Sequence, residues 1–288
     1  MPLGGNARSL LALILLALAA SGCLARRRVI TRNGRHTTLA LRTAAKPVLL
    51  AKIAEDYRAI ETLQATVDMT PALGSAEKGK VTEYKDVRGY ILFRKPALIR
   101  LIGLYPVVRN KAFDMVSDGE RFRLYLPVKN RFIEGANEIT RLSKNKIENL
   151  RPQHFLDALL VRPADSEQSL LVNFTDEDNA AYIVQLVDGS AAGGLRLKRQ
   201  VWFERVNLTV VRQLIFDEAG DILTDARYGG WQTHERVPFP TQIEINRPKD
   251  EYGVVMKVVR VEVNKPLEDA RFELPRPEGA ELQILERH

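Results

Sequence analysis

The sequence predicts an α+β fold: one large antiparallel sheet that curls, with helices across its concave face. Three observations carry that reading. From Pro47 onward about a dozen short runs interleave polar and apolar side chains, the period of two that a half-buried strand requires. Turn-forming stretches such as Asp118-Gly119, Asp188-Gly189, Tyr252-Gly253 and 217–221 separate them. Only two stretches show the three-and-four spacing of an amphipathic helix, and no repeat or second core interrupts the series, so 47–288 reads as a single domain.

The chain opens with Arg8 and eleven apolar residues at 10–20. At about 1.5 Å each they span roughly 16 Å, about half of a hydrocarbon core of about 30 Å, which fits the apolar part of an export signal before it fits a membrane-spanning helix. Cys23 follows Ala20, Ser21 and Gly22 and is the only cysteine, so no intramolecular disulfide is possible. Its position resembles the lipobox of bacterial lipoproteins, although Ala20 stands where that motif prefers Leu. The resemblance implies a signal peptide at 1–22 and an acylated Cys23 as lipid anchor; the alternative is a chance cysteine in an ordinary signal peptide. Leu24 in place of Asp implies the outer membrane as destination, on its periplasmic face.

Residues 23–46 read as a tether, basic and without hydrophobic periodicity. The formal charge is +7, from 43 basic and 36 acidic residues, but eight basic and no acidic residues lie before Val48. The remainder is close to neutral, which removes the case for a nucleic-acid-binding domain. Arg26, Arg27, Arg28, Arg32 and Arg35 are either a solvated linker or contacts to anionic headgroups, at about 1 kcal/mol each. Directly after an apolar run they also oppose translocation.

Pro47 fits a first helical turn, and Leu49, Leu50, Ile53, Tyr57, Ile60 and Leu63 form one apolar stripe over about five turns. Strands are expected at 65–71, 81–93, 98–104, 112–117, 121–126 and 131–134. A second helix is expected over roughly 144–160, with Phe155, Leu156, Leu159 and Leu160 as its apolar face. Strands resume at 170–175, 182–187, 196–204, 210–217, 222–228, 241–246 and 254–263. In the last of these Lys257, Arg260 and Glu262 interleave with Val255, Val259, Val261 and Val263; at 195–201 Leu195, Leu197 and Val201 alternate with Arg196, Lys198 and Gln200. An apolar concave face is either a filled core or a cavity for an apolar ligand.

Covalent chemistry finds little support. Residues 74–80 match the start of a phosphate-binding loop, but Val81 stands where Ser or Thr must hold Mg²⁺ and a strand follows where a helix is needed. His36, His154, His234 and His288 have no metal-ligand spacing, so no metal or other cofactor is expected. No nucleophile elbow is present, and His234-Glu235 near Trp231 is a weak polar cluster. The chain does not read as an enzyme.

Phe93-Arg94-Lys95-Pro96, the strand 98–104, Ser117-Asp118-Gly119-Glu120-Arg121, Leu124-Tyr125-Leu126-Pro127 and the C-terminal run 264–275 together resemble the LolA/LolB-type lipoprotein carriers. That resemblance implies a half-open β-barrel whose apolar concavity, lidded by helices, receives acyl chains or lipoproteins. Between soluble carrier and membrane-bound receptor, Cys23 favours the LolB-like receptor. The matching lid helix carries Leu49, Leu50, Ile53, Tyr57 and Ile60. The matching membrane-insertion loop carries Leu104, Tyr105, Val107 and Val108, with Arg109, Asn110 and Lys111 beyond; a buried turn explains Leu104 and Val107 as well. The implied partners are membrane lipid and a lipid or lipoprotein cargo. The alternative is a non-catalytic scaffolding lipoprotein with a filled core and no cargo.

Overall fold

A computed structural model describes residues 40–75, 80–83, 86–138, 149–163, 169–175, 180–189 and 193–285. Cys23, the apolar run, the basic tether up to residue 39, His36 and His288 lie outside them, as do 144–148 of the second expected helix. Residues 37–288 form one compact body. It holds a continuous core that begins at Ala44 and recruits every strand layer, so it has what a domain needs to fold by itself.

The helix α1 is Lys46–Arg58 and the helix α2 is Pro152–Leu159. The strands are β1 (Thr62–Ser75), β2 (Lys80–Glu83), β3 (Val87–Arg94), β4 (Leu98–Leu104), β5 (Lys111–Ser117), β6 (Arg121–Leu126), β7 (Arg131–Ala136) and β8 (Ser169–Thr175). They continue as β9 (Ala180–Gly189), β10 (Leu195–Glu204), β11 (Val210–Phe216), β12 (Ile222–His234), β13 (Val237–Arg247), β14 (Tyr252–Val263) and β15 (Glu281–Leu285). All join one sheet in the order β15-β7-β6-β5-β4-β3-β1-β14-β13-β12-β11-β10-β9-β8, with β2 beside the far end of β1. Every pairing is antiparallel except β15 with β7. The edges β8 and β15 do not pair, so the sheet is curled and not closed. The curl is visible in the core: Phe93, Leu101 and Leu124 from one half share a cluster with Val184, Val201 and Ala226 from the other.

Several expected boundaries move, each for a physical reason. α1 stops at Arg58, so Ile60 lies in the connection and Leu63 belongs to β1. There Leu63, Ala65, Val67 and Met69 alternate inward, and Leu63 sits between Val263 and Phe93. Asn264 holds the turn, its Oδ1 accepting from the Glu61 amide at 2.8 Å and its Nδ2 donating to the Ala59 carbonyl at 2.8 Å. The run 81–93 is two strands, because β2 pairs with Ala72–Ser75 and β3 with Thr62–Met69 of the same long β1. β12 continues past Tyr228 through Gly229-Gly230 to His234. Gly230 takes φ +62 with the Thr241 side chain where a Cβ would sit, and the pairing runs through it without a shift, from Gly229 opposite Gln242 to Trp231 opposite Pro240. The turn before β14 is Pro248 to Glu251, and Tyr252-Gly253 are already strand.

Alternation also slips at bulges. In β14 the register shifts opposite Thr66/Val67, which leaves Val259 exposed while Val254, Met256, Val261 and Val263 point inward. In β10 a shift between Leu197 and Arg199 leaves Leu195 exposed, and Val201 and Phe203 carry the buried face. β15 was not expected at all: five residues on an edge, after a Pro- and Gly-rich stretch, leave too short a pattern to read.

The two family-like motifs meet in space. Arg94 Nη1 donates to the Leu267 carbonyl at 2.8 Å, its guanidinium also pairs with Asp269, and Leu267 and Phe272 pack on Leu92 and Leu98. Farther along, buried Asp114 accepts from Arg100 at 2.9 and 2.8 Å and from Lys111 at 2.7 Å. Arg100 in turn donates to the carbonyls of Arg271 and Glu273. The C-terminal strap is thereby fixed to the outer face of β3 to β7.

Candidate functional site

The concave face is a filled core. α2 fills most of it: six of its eight residues are buried, including Phe155, Leu156 and Leu159, and Leu160 follows. Two carbonyls of its last turn, which a short helix cannot satisfy internally, are met by side chains from the sheet. Gln213 Nε2 donates to the Asp157 carbonyl at 2.8 Å, and the Tyr228 hydroxyl donates to the Ala158 carbonyl at 2.7 Å. At the other end His154 Nδ1 lies 2.8 Å from the Tyr252 hydroxyl, in a buried group with Asp250 and Arg247, which bond at 2.6 Å. Burial, reinforced by the cations Arg247 and Arg151, pulls the His154 imidazole well below its usual value, so it sits there neutral. Burial likewise pushes the hydroxyls of Tyr228 and Tyr252 up.

α1 is held more lightly. Only Leu49 and Ile53 are fully buried, with Leu50 and Tyr57 packed at the margin. At about 1.5–3 kcal/mol for each buried aliphatic side chain, lifting α1 exposes about 3–6 kcal/mol of apolar burial, whereas α2 stands to lose two or three times as much and its polar ties. α2 is therefore the more deeply buried helix, and α1 lies at the margin, tied by Lys46 Nζ to the Ser169 carbonyl at 2.8 Å and by Lys95 Nζ to the Tyr57 carbonyl at 2.7 Å.

Between them is a crevice of about 40 Å³, lined by Ile53, Tyr57 and Ile60 on one side and Leu159, Leu160, Tyr228, Trp231 and Phe239 on the other. It has room for about three waters and is far below the roughly 300–1,000 Å³ of a small-molecule pocket. Asp56 stands at its lip, where burial raises the carboxyl against the opposing pull of Lys52, 3.2 Å away. Of the expected lid residues, Ile53, Tyr57 and Ile60 line the crevice, and Leu49 and Leu50 pack nearby.

The expected loop lies at 105–110, between β4 and β5. Val107 is 97% exposed and Val108 64%, so the buried-turn reading fails for Val107; Leu104 is half-buried and Tyr105 exposed. Three backbone bonds shape the loop: Tyr105 amide to Asn110 carbonyl, Arg109 amide to Tyr105 carbonyl, and Val108 amide to Pro106 carbonyl. Val107 is forced to φ +73, a region that β-branched residues avoid. An exposed and strained valine contributes nothing to the core. Beneath it the Phe113 ring lies on Gly103, where a Cβ would sit 2.2 Å from the ring.

Of the two described histidines, His154 is in the α2 network and His234 ends β12. Among the described residues no group of three or more His, Cys, Asp or Glu could hold a metal, and no helix is long and apolar enough to cross a membrane. Residues 76–79 of the phosphate-loop lookalike fall outside the described residues, flanked by the β1 and β2 hairpin strands.

A LolA superfamily protein from Nitrosomonas europaea matches with a TM-score of 0.50 and 14% identity, over 81% of this chain and 99% of that one. The chain has a LolA-like fold. A Vibrio parahaemolyticus protein described as an outer membrane lipoprotein-sorting domain matches with a TM-score of 0.45 and 10% identity, over 78% of this chain and 94% of that one. No protein-family model matches, and no curated protein matches by sequence.

Proposed function

We propose that this is a lipoprotein of the outer membrane, anchored through Cys23 on the periplasmic face, that takes acyl chains, free or carried by another lipoprotein, beneath α1 and assists their transfer without covalent catalysis. The observation that carries this reading is the crevice at the α1 lip, an apolar seam between a lightly held helix and a firmly plugged sheet. Burying about 400 Å² of acyl surface at roughly 25 cal/mol per Å² contributes about 10 kcal/mol before entropic costs. That exceeds the roughly 3–6 kcal/mol of burial that α1 gives up and leaves about 4–7 kcal/mol to set against the cost of association. Delivery would use the LolB-like loop, whose exposed Val107 and Val108 enter the bilayer surface while Arg109 meets headgroups.

The small size of the crevice favours a second reading, a scaffolding lipoprotein whose core stays filled. Native mass spectrometry of the purified body together with titration of a fluorescent fatty-acyl probe separates the two. Retained lipid, or saturable binding abolished by Ile53→Asp, supports the carrier; an empty protein that binds no probe supports the scaffold.

A further inference from the structure

A second hairpin tip stands beside the first. The loop 105–110 and the 3₁₀ turn Pro127–Lys129 cap the two hairpins β4–β5 and β6–β7 at the same end of the sheet. β5 pairs with β6, and the 3₁₀ turn packs against β5, so the tips stand about two strand spacings, roughly 10 Å, apart. Val128 on the second tip is 75% exposed. Turns in water are built from Gly, Pro, Asn, Asp and Ser, so three exposed valines on two adjacent tips need another environment.

The charge around them is one-sided. No Asp or Glu lies between Leu104 and Phe113 or between Tyr125 and Ile133, while Arg109, Lys111, Lys129 and Arg131 do. Lys111 is engaged by Asp114 and Arg131 by Gln283, and Glu281 stands in register with Arg131 at the base. Arg109 and Lys129 are exposed and form no ion pair among the described residues. The second tip is also rigid: Asn130, at φ +46, donates through Nδ2 to the Gly279 carbonyl at 2.8 Å and accepts from the Glu281 amide at 2.9 Å. A braced tip loses little freedom on docking.

We propose that the two tips form one membrane-docking foot for an anionic bilayer, with Val107, Val108 and Val128 in the acyl boundary and Arg109 and Lys129 among the lipid phosphates. Convex apolar points flanked by cations fit a deformable anionic surface, which needs no matching groove. The foot rests on the loop reading above and adds the second prong and the lipid charge.

The test is sedimentation of the body 37–288 with vesicles of phosphatidylcholine, with and without phosphatidylglycerol. Binding is expected to strengthen with phosphatidylglycerol and weaken with salt. Val128→Asp is expected to reduce partitioning about tenfold or more, and Lys129→Gln about fivefold on anionic vesicles only. Because Val128 is exposed, its variant keeps the wild-type melting curve. Val128→Trp adds a second readout, quenching of the new tryptophan by brominated lipid. If Val107→Asp weakens binding while Val128→Asp and Lys129→Gln do not, the second prong is refuted and the loop reading stands. If none of the three has an effect, both fail. A Val128→Asp effect on self-association, seen by sedimentation velocity without lipid, overturns the foot in favour of a protein contact.

Discussion

Replacing Leu159 by Ala separates a plug from a passive core residue. Leu159 is buried on α2 and forms the inner wall of the crevice. Three carbon groups are removed, at about 0.8 kcal/mol each, for a transfer loss of about 2.4 kcal/mol. Leu→Ala in a closed core adds a void penalty and reaches about 5 kcal/mol, but here the new space joins an existing crevice with room for water, so the total should stay near 2–3 kcal/mol. For a body of this size that lowers Tm by about 5–10 °C. The same space accommodates about three more methylenes of a fatty-acyl probe, so binding should tighten, by up to about 50-fold. Leu101→Ala, the same chemistry at a fully buried site that does not line the crevice, should cost more stability and leave binding unchanged. The assays are thermal unfolding and probe titration of both variants. A folded Leu159→Ala protein whose probe affinity matches the wild type would refute the crevice as the acyl site.

Three further outcomes are expected. Cys23→Ser should move the protein from the membrane to the soluble fraction on cell fractionation; continued membrane attachment would mean an uncleaved signal anchor. His154 is held below its usual value in the folded protein, so the unfolded chain takes up its proton first as pH falls. Its contribution is intact above about pH 6.5 and declines by about 1.4 kcal/mol per unit below that. Urea midpoints across pH should show this acid limb in the wild type and a flatter one in His154→Gln. Asp114→Ala strands Arg100 beneath the C-terminal strap and should cost about 3–5 kcal/mol, with faster proteolysis of the strap; the double change Arg100→Met, Asp114→Leu should recover much of the loss.

Strand identity was legible where charged and apolar side chains alternate strictly. β4 and β6 fall at the expected residues because Ile99 and Leu101, or Phe122 and Leu124, alternate with arginines that must stay out. Legibility failed where one local signal had two meanings. Leu63 continues a helical spacing and equally begins a strand, and only its pairing with Val263 and Phe93 decides for β1. The strand expected at 222–228 runs on through Gly229-Gly230 to His234, because β13 offers Val237 to Gln242 as partners in an unbroken register. The ties on α2 left no local trace, since His154 and Tyr252, or Gln213 and Asp157, are brought together across tens of residues. Val128 is a single valine between Pro and Lys, with no periodicity to mark it.

Alone, the sequence determined the α+β class, the hairpin at Asp118-Gly119 and the presence of two amphipathic helices, because those are short-range effects of period and turn chemistry; the loop that carries Val107 was singled out by the family resemblance. The tertiary structure decided that α2 fills the concavity, that α1 is the weaker cover and that a second hairpin tip stands beside the first. Those depend on which strands the curl brings face to face and on how many side chains each helix buries there. A chain pattern encodes which face is apolar; the depth at which each helix is buried is fixed only when the sheet curls over its own core.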